Sequence, residues 1–207
     1  MIMEQSRSQK EDHFYSLCKE KMSVLDVGVS SETGTAGSPA RNHFLKNFPH
    51  APKYYTGLGV QDLSGMEKLF PKKRFVQYSG GVFPFEDQEF DWIFSNAVIE
   101  HVGDDDAQVD FINEMVRVAN DVFFTTPNKF FPIESHTNVL FLHWNNKLFY
   151  KWCRRYRKWV NKNCLYLLSY SRLKNLLEKS NISTYTIYKN YTLGIPMTFS
   201  VTCTAIR

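Results

Sequence analysis

Short runs of β-branched and aromatic residues alternate with stretches of helical periodicity as far as residue 128. The short runs predict strands at 24–28, 54–58, 75–78, 90–94 and 121–126. The stretches between them predict helices over 41–48, 63–70 and 104–119, and Ser38 and Pro39 are residue types preferred at a helix start. Strands that alternate with helices predict βαβ units and therefore a parallel sheet.

The pattern changes after Pro127. Residues 130–146 are aromatic and contain histidine without a clean period, so we expect a loop or lid. Residues 148–160 carry aromatic and aliphatic side chains on one helical face and mostly cations on the other. A further helix over 171–180 and strands at 182–188 and 198–205 close the chain.

The chain has 207 residues, the size of one domain with an elaboration, and 43% of them are hydrophobic, enough to bury a full core. We expect an N-terminal lead-in at 1–22 that carries only a short helical face, around Phe14 and Cys18. A single domain at 23–207 follows, with an insertion at about 129–168.

The four cysteines form no CxxC pair and have no histidine partner at ligand spacing, so neither a disulfide framework nor a zinc site is expected. The polar N-terminus lacks an apolar signal core, and no apolar run approaches the ~20 residues that span a bilayer. These features predict a cytoplasmic protein. The net charge of +4 is modest and does not by itself suggest a nucleic-acid partner.

The first predicted strand ends in Asp26-Val27-Gly28 and runs into small polar residues. In open α/β sheets, ligands bind just beyond the carboxyl ends of the strands. An acidic residue is unsuited to core filling, and Asp26 suits a carboxylate that holds loop amides or a cationic ligand group. The alternative is an ordinary buried strand whose aspartate caps the turn.

The order of these motifs resembles a class I S-adenosylmethionine-dependent methyltransferase, with a domain like the type 11 methyltransferases. The residues that carry the resemblance lie at 24–28, 59–64, 83–85 and 90–102, together with Glu114-x-x-Arg117-Val118. The resemblance spans roughly 22–128. It implies a Rossmann-like doubly wound, mostly parallel sheet with a C-terminal antiparallel strand and a helical and loop insertion after strand five. S-adenosylmethionine is then expected as the cofactor, at the carboxyl edge of the sheet.

The glycine-rich loop departs from the family pattern. Ser30 and Glu32 stand where the family usually has its second and third glycines, and Gly34 and Gly37 come later, which indicates a remodelled loop. Ser79 stands where many relatives have an aspartate near the adenine.

The resemblance assigns the cofactor site residue by residue. The expected cofactor-binding residues are Asp26, Gly28, Ser30, Asp62, Leu63, Ser79, Gly80, Asn96 and Ala97. Asp62 would accept hydrogen bonds from the ribose hydroxyls. The alternative for Asp62 is a cap on the short helix that follows it.

The candidate catalytic residues are His101, Glu134 and His136, and the candidate acceptor-binding residues are Asn128 and His143. A histidine titrates near neutral pH, so His101 at the pocket rim is a candidate general base. Alternatively, Glu100 and His101 only fix the helix start and the pocket wall. No metal site is expected, because no third ligand has a convincing spacing.

The sequence thus predicts methyl transfer to a small-molecule or lipid-linked acceptor, and the resemblance favours a sugar or polysaccharide precursor. A nucleic-acid methyltransferase is the weaker alternative, since the Asn/Asp-Pro-Pro-aromatic signature is missing. A non-catalytic binding protein on the same fold is the third. The helix at 147–162 either packs on its own domain or makes a peripheral contact with an anionic membrane, at the inner face of the cell membrane.

Overall fold

A computed structural model describes residues 2–32, 41–161 and 164–206. One sheet of seven strands organises them, in the order β3-β2-β1-β4-β5-β7-β6. The strands are β1 Val24–Val27, β2 Tyr55–Gly59, β3 Arg74–Gln77, β4 Phe90–Asn96, β5 Ala119–Pro127, β6 Ile182–Thr192 and β7 Ile195–Ala205. The first five are parallel, and β7 pairs antiparallel with both β5 and β6. The predicted Rossmann-like sheet with antiparallel C-terminal strands is confirmed.

Six α-helices accompany the sheet in the described part of the chain. They are α1 Ile2–Leu17, α2 His43–Asn47, α3 Met66–Leu69, α4 Asp105–Val118, α5 Asn146–Tyr156 and α6 Tyr170–Lys179. The predicted helix start at Ser38 and Pro39, and the later glycines Gly34 and Gly37, lie outside the described residues.

Strand β1 lies inside the sheet, with the parallel strands β2 and β4 on its two sides. Asp26 lies opposite Gly57 of β2 and opposite Phe94 of β4. The chain order reverses between β1 and β4, which is the switch point where ligands bind in this architecture. The carboxyl ends of these strands therefore define the edge at which the site is expected.

The N-terminal segment is part of the domain, in contrast to the predicted lead-in at 1–22. The side chains of Phe14 and Cys18 on and after α1 are almost fully buried. The ring of Phe14 lies 5.1 Å from that of Phe94 in β4, in an edge-to-face contact. The sequence did not indicate this because α1 also buries polar side chains, Ser6, Lys10 and Glu11, which conceal its amphipathic pattern.

The insertion contains the predicted loop, interrupted by a 3₁₀ turn at Leu142–Trp144, and then α5. One side of α5 buries Phe149 and Cys153 against a small separate core. Leu148, Tyr156 and Trp159 remain 54%, 58% and 57% exposed. Helix α5 ends at Tyr156, before the end predicted at residue 160, so Trp159 lies beyond it. The single apolar face predicted for 148–160 is divided between a buried and an exposed side. Among the helices of the described residues, none combines the length and apolar character needed to cross a membrane.

Candidate active site

A cavity of 780 Å³ opens beyond the carboxyl ends of β1 and β2. Its wall consists of residues from the loops after β1, β2, β3 and β4 and from α4: Gly28–Ser30, Gly59–Gln61, Tyr78, Gly80–Val82, Ala97, Val98, His101, Val102, Ala107, Asp110, Phe111, Asn113 and Glu114. Four residues predicted to bind cofactor, Gly28, Ser30, Gly80 and Ala97, are among them.

Glycine is required at two positions of this wall. Gly28 has φ +106°, and a Cβ atom there would lie 2.3 Å from Cγ2 of Val98. At Gly59, a Cβ atom would lie 2.1 Å from the carbonyl oxygen of Val29. The backbone of each loop therefore lies in direct contact with its neighbour, Val98 at Gly28 and the Val29 carbonyl at Gly59. The space beyond the loops stays open.

Asn42 holds the described part of the loop after β1 at Ser30. The backbone N–H of Ser30 donates to Oδ1 of Asn42 at 2.9 Å, and Nδ2 of Asn42 donates back to the carbonyl of Ser30 at 2.7 Å. This pairing provides a physical basis for Ser30 at a family glycine position. The sequence offered no signal for it.

Asp26 lines a smaller pocket of 240 Å³ that adjoins the loop. The Tyr55 hydroxyl donates to Oδ2 of Asp26 at 2.6 Å, and burial raises the pKa of Asp26 to about 7. The loop amides of Gly28 and Val29 donate to the carbonyl of Leu58 instead. The amides of Gly28 and Val29 therefore do not depend on Asp26, and both roles that the sequence suggested for this carboxylate stay predictions.

Five predicted cofactor-binding residues do not line the large cavity: Asp26 and Asn96 line the neighbouring pockets, and Asp62, Leu63 and Ser79 line none of the three. Asp62 is exposed, and its Oδ1 accepts a 2.9 Å hydrogen bond from the N–H of Ser64, which lowers the pKa of Asp62. Leu63 is 3% exposed and belongs to the core, and Ser79 faces solvent. Their roles as cofactor-binding residues stay predictions, and the contact of Asp62 with Ser64 matches the alternative of a turn cap.

Other residues take the wall positions that the sequence had given to those three. Gln61 and Tyr78, each next to a predicted residue, line the cavity. Asp110, Asn113 and Glu114 reach it from α4. Their spacing places them on one helical face, and this is the signal that could have identified them.

The Glu114-x-x-Arg117 motif holds the loop at 83–85. Oε2 of Glu114 accepts from the N–H of Phe83 at 2.7 Å and pairs with Arg117 at 2.8 Å. Arg117 donates to the carbonyls of Phe83 and Phe85 at 3.0 and 2.9 Å. The motif therefore supports the cavity wall without contributing a free carboxylate.

A second cavity of 230 Å³ lies beside the end of β5. It is lined by Ser6, Arg7, Lys10, Asn96, Ala97, Thr125–Asn128, Phe131, Ile133–His136, His143, Leu167, Met197 and Thr198. Asn128, Glu134, His136 and His143 are thus brought together as the sequence predicted, and their roles stay predictions. Ala97, with φ +57°, lines this cavity, the large one and the Asp26 pocket.

Asn128 and His143 shape this cavity through their own hydrogen bonds. Nδ2 of Asn128 donates to the carbonyl of Pro196 at 2.7 Å, and its Oδ1 accepts from the N–H of Phe130 at 3.0 Å. Nε2 of His143 lies 2.9 Å from the carbonyl of Phe131, and burial lowers the pKa of His143. Both side chains therefore position the aromatic loop.

Glu134 is a positioning residue in this geometry. Its carboxylate accepts from the N–H and Nδ1 of His136 at 3.0 and 2.6 Å, and from the N–H and Oγ1 of Thr137 at 2.7 and 2.6 Å. These bonds outweigh burial and lower the pKa of Glu134 to about 2. A carboxylate of such low pKa is a poor proton acceptor, so the structure argues against Glu134 as a general base and for its orienting His136.

The two candidate catalytic histidines meet. Nε2 of His101 lies 3.1 Å from Nε2 of His136, and Nδ1 of His101 lies 2.8 Å from the carbonyl of Cys164. His101 ends a 3₁₀ turn at Ile99–His101, whose Glu100 side chain is fully buried. Fixing the turn and forming the pocket wall are thus compatible with a chemical role for His101.

Known proteins agree with this architecture. A family model described as a methyltransferase domain matches residues 58–121. A SAM-dependent methyltransferase from Methanosarcina mazei has a TM-score of 0.60 at 13% identity, over 94% of this chain and 98% of that one. One from Aquifex aeolicus has a TM-score of 0.59 at 14% identity, over 95% and 89%. Magnesium protoporphyrin IX methyltransferase from Synechocystis, with bound SAH, has a TM-score of 0.59 at 8% identity, over 98% and 83%. Curated protein sequences give no match.

Sheet order and cavity position define the class I methyltransferase fold, and the structural neighbours share it. The match to the methyltransferase-domain model over residues 58–121 agrees with this fold.

Proposed function

We propose that the chain transfers a methyl group from S-adenosylmethionine to a small-molecule or lipid-linked acceptor, of which a sugar or polysaccharide precursor is the class we favour. The observation that carries this proposal is the meeting of two cavities at Ala97. The 780 Å³ cavity has room for a nucleoside, and the 230 Å³ cavity has room for a small acceptor group. A methyl donor in one cavity would therefore face an acceptor in the other.

The residues present fit the cofactor. S-adenosylmethionine, when bound, supplies an electrophilic methyl group on a sulfonium and also carries an ammonium group. The buried carboxylate of Asp26, in the pocket next to the large cavity, is suited to that ammonium. The side chain of Gln61 and the ring of Tyr78 offer polar and aromatic contacts for the nucleoside.

The chain's main contribution to catalysis is positioning. Alignment of two reactants is worth up to ~7–11 kcal/mol, so a base helps methyl transfer to oxygen without being obligatory. His136 lines the acceptor cavity and His101 lines the cofactor cavity, so this pair is placed to receive a proton from an acceptor hydroxyl. We expect His101→Ala to lower turnover with little change in S-adenosylhomocysteine affinity, and unchanged turnover would remove His101 from the mechanism.

Two cations indicate the acceptor class. Arg7 and Lys10 of α1 line the small cavity, next to the aromatic ring of Phe131. A phosphate is a group that such cations bind well. An acceptor sugar linked to a nucleotide or to a lipid through phosphate would satisfy both the cations and the small volume.

The decisive experiment is calorimetry with S-adenosylmethionine and S-adenosylhomocysteine on the folded chain, followed by transfer of a labelled methyl group to panels of nucleotide sugars and polyprenyl-phosphate-linked sugars. Binding and labelling of one panel member support the proposal. Absence of nucleotide binding at millimolar concentration while the chain stays folded would overturn it. Labelling of RNA or DNA alone, with steep salt dependence, would instead select the nucleic-acid alternative.

The exposed side of α5 favours a second, compatible proposal, in which a cytoplasmic chain contacts the inner face of the membrane. Leu148, Tyr156 and Trp159 are more than half exposed, and the same segment carries several lysines and arginines. Apolar side chains beside cations favour an anionic lipid surface. The matched variants are Trp159→Ser and Leu193→Ser, because Leu193 is 87% exposed on the β6–β7 hairpin. We expect Leu193→Ser to float with anionic vesicles like the parent chain, and Trp159→Ser to lose flotation. Equal flotation of the two variants would refute the contact.

A further inference from the structure

A cluster of nitrogen and oxygen atoms lies between the two cavities. Glu100, His101 and His136 each offer one metal-binding atom, and these atoms all lie within 4.8 Å of one another. His101 lines the large cavity and His136 lines the small one. A ligand at this cluster would therefore sit beside both reactants.

Hydrogen bonds determine which ring nitrogen of each histidine carries a proton. Nδ1 of His101 faces the carbonyl of Cys164, and Nδ1 of His136 faces the carboxylate of Glu134 at 2.6 Å. Both partners accept hydrogen bonds, so both Nδ1 atoms are protonated. In the neutral rings the two Nε2 atoms are then lone pairs facing each other at 3.1 Å. Two lone pairs at this distance repel unless a proton or a metal ion lies between them.

The third member of the cluster is a buried carboxylate with unused capacity. Glu100 is 0% exposed, and its Oε2 accepts from Oγ1 of Thr126 at 3.1 Å. Its Oε1 has no hydrogen-bond partner among the described residues. An unpaired buried carboxylate oxygen is costly, and a neighbouring cation removes that cost.

We propose that Glu100, His101 and His136 bind one divalent transition-metal ion such as Zn²⁺, with an open position for an oxygen atom of the methyl acceptor. The role of the open position rests on the proposed function, whereas the metal site itself does not. Two histidines and one glutamate with a free fourth position are a ligand set of catalytic zinc sites. An ion there would lower the pKa of an acceptor hydroxyl and fix its direction toward the cofactor cavity. Because the ion then occupies both Nε2 atoms, the hydroxyl proton would leave to solvent instead of to the histidine pair.

The spacing of the two histidine nitrogens suits such an ion, and the Glu100 carboxylate must move closer to complete the site. At metal–nitrogen distances of about 2.0–2.1 Å, one ion can contact two nitrogens that are 3.1 Å apart. Ligands of one tetrahedral ion lie about 3.4 Å apart, so the widest pair of the cluster, which is at most 4.8 Å apart, must close by up to about 1.4 Å. Glu134 and the Cys164 carbonyl already hold the rings by Nδ1, as outer partners do in metal sites.

The test is metal titration of the untagged full chain after it has been stripped by a chelator. Co²⁺ should bind with a stoichiometry of one and give visible d–d absorption bands, and Zn²⁺ should displace it in competition with a chromophoric chelator. His136→Gln and Glu100→Gln should abolish the bands. Glu134→Gln should weaken binding about 10–100-fold, as expected for a residue that orients a ligand.

The matched control is His50→Gln, which removes a partly buried histidine outside the cluster. It should bind Co²⁺ like the parent chain. Circular dichroism confirms that each variant is folded. Equal binding by His50→Gln and His136→Gln, or no Co²⁺ bands at millimolar metal, overturns the site and leaves the two histidines sharing a proton.

Calorimetry with S-adenosylhomocysteine on the same stripped chain separates this inference from the proposed function. If the chain binds S-adenosylhomocysteine but no metal ion, only the proposed metal site is overturned. Metal binding without nucleotide binding leaves the site and removes the methyltransferase proposal.

Discussion

Nζ of Lys10 on the N-terminal helix donates a 2.8 Å hydrogen bond to Oδ1 of Asn96 at the end of β4. This contact joins the first helix to the residue that lies between the acceptor cavity and the Asp26 pocket. A helix that looks like a polar lead-in in sequence thereby becomes one wall of the site.

Lys10 predicts a pH dependence of stability. Burial lowers the pKa of Lys10 from 10.5 to about 8 in the folded chain, so the unfolded chain binds more protons between these values. The free energy of unfolding should therefore rise with pH across this window, relative to Lys10→Met, by about 3 kcal/mol at most. Urea unfolding at several pH values measures the difference. If the difference in free energy of unfolding between the two proteins does not change with pH, folding does not lower the pKa of Lys10.

Asp26 predicts the opposite slope at lower pH. Burial raises the pKa of Asp26 from 3.8 to about 7, so the folded chain retains a proton that the unfolded chain has released. Stability is therefore lost as pH rises between these values. Asp26→Asn keeps the shape and the acceptor for Tyr55, and its advantage over the parent should grow to about 4 kcal/mol at most above pH 7. Thermal or urea unfolding of both proteins tests this, and parallel pH profiles would contradict it.

Gly28→Ala should impair cofactor binding as well as stability. The new Cβ atom would meet Val98 at 2.3 Å on the wall of the large cavity. Gly194→Ala is the matched control, because Gly194 also has positive φ, +76°, but has no atom within 4 Å of a Cβ. Both variants should lose about 1 kcal/mol from the strained backbone. Only Gly28→Ala should lose tenfold or more in S-adenosylhomocysteine affinity by calorimetry, and equal affinities would place the cofactor elsewhere.

A pair of substitutions after β2 separates the sequence prediction from the structure. Gln61 lines the large cavity, whereas the Asp62 carboxylate caps a turn through Ser64. We expect Gln61→Ala to weaken S-adenosylhomocysteine binding several-fold, and Asp62→Asn to leave it within about twofold. The reverse order of affinities would show that Asp62 turns inward when the nucleotide binds.

The positions of the strands could be anticipated from local pattern. The runs at 24–28 and 90–94 are short, apolar and ended by turn residues, and each forms a strand. Their period is a property of neighbouring residues, so no tertiary information is needed to detect it. The same holds for α4, whose buried residues repeat at helical spacing.

Local sequence pattern predicted only part of the lining of the large cavity. Residues at strand ends, such as Gly28 and Ala97, were found because parallel strands bring their carboxyl ends to one edge. The side chains of Asp62 and Ser79 are exposed, because the direction of a side chain after a strand depends on the turn that follows it. Gln61 and Tyr78 line the cavity, whereas Asp62 and Ser79, one position later, do not.

By itself, the sequence determined the α/β class, the order of elements and the two segments from which the histidines come. Only the tertiary structure decided that α1 closes the acceptor cavity and that His101 and His136 face each other beside a buried Glu100. The physical reason is that periodicity reports on residues a few positions apart. Contacts between residues 35 or more positions apart depend on how the finished sheet packs its loops.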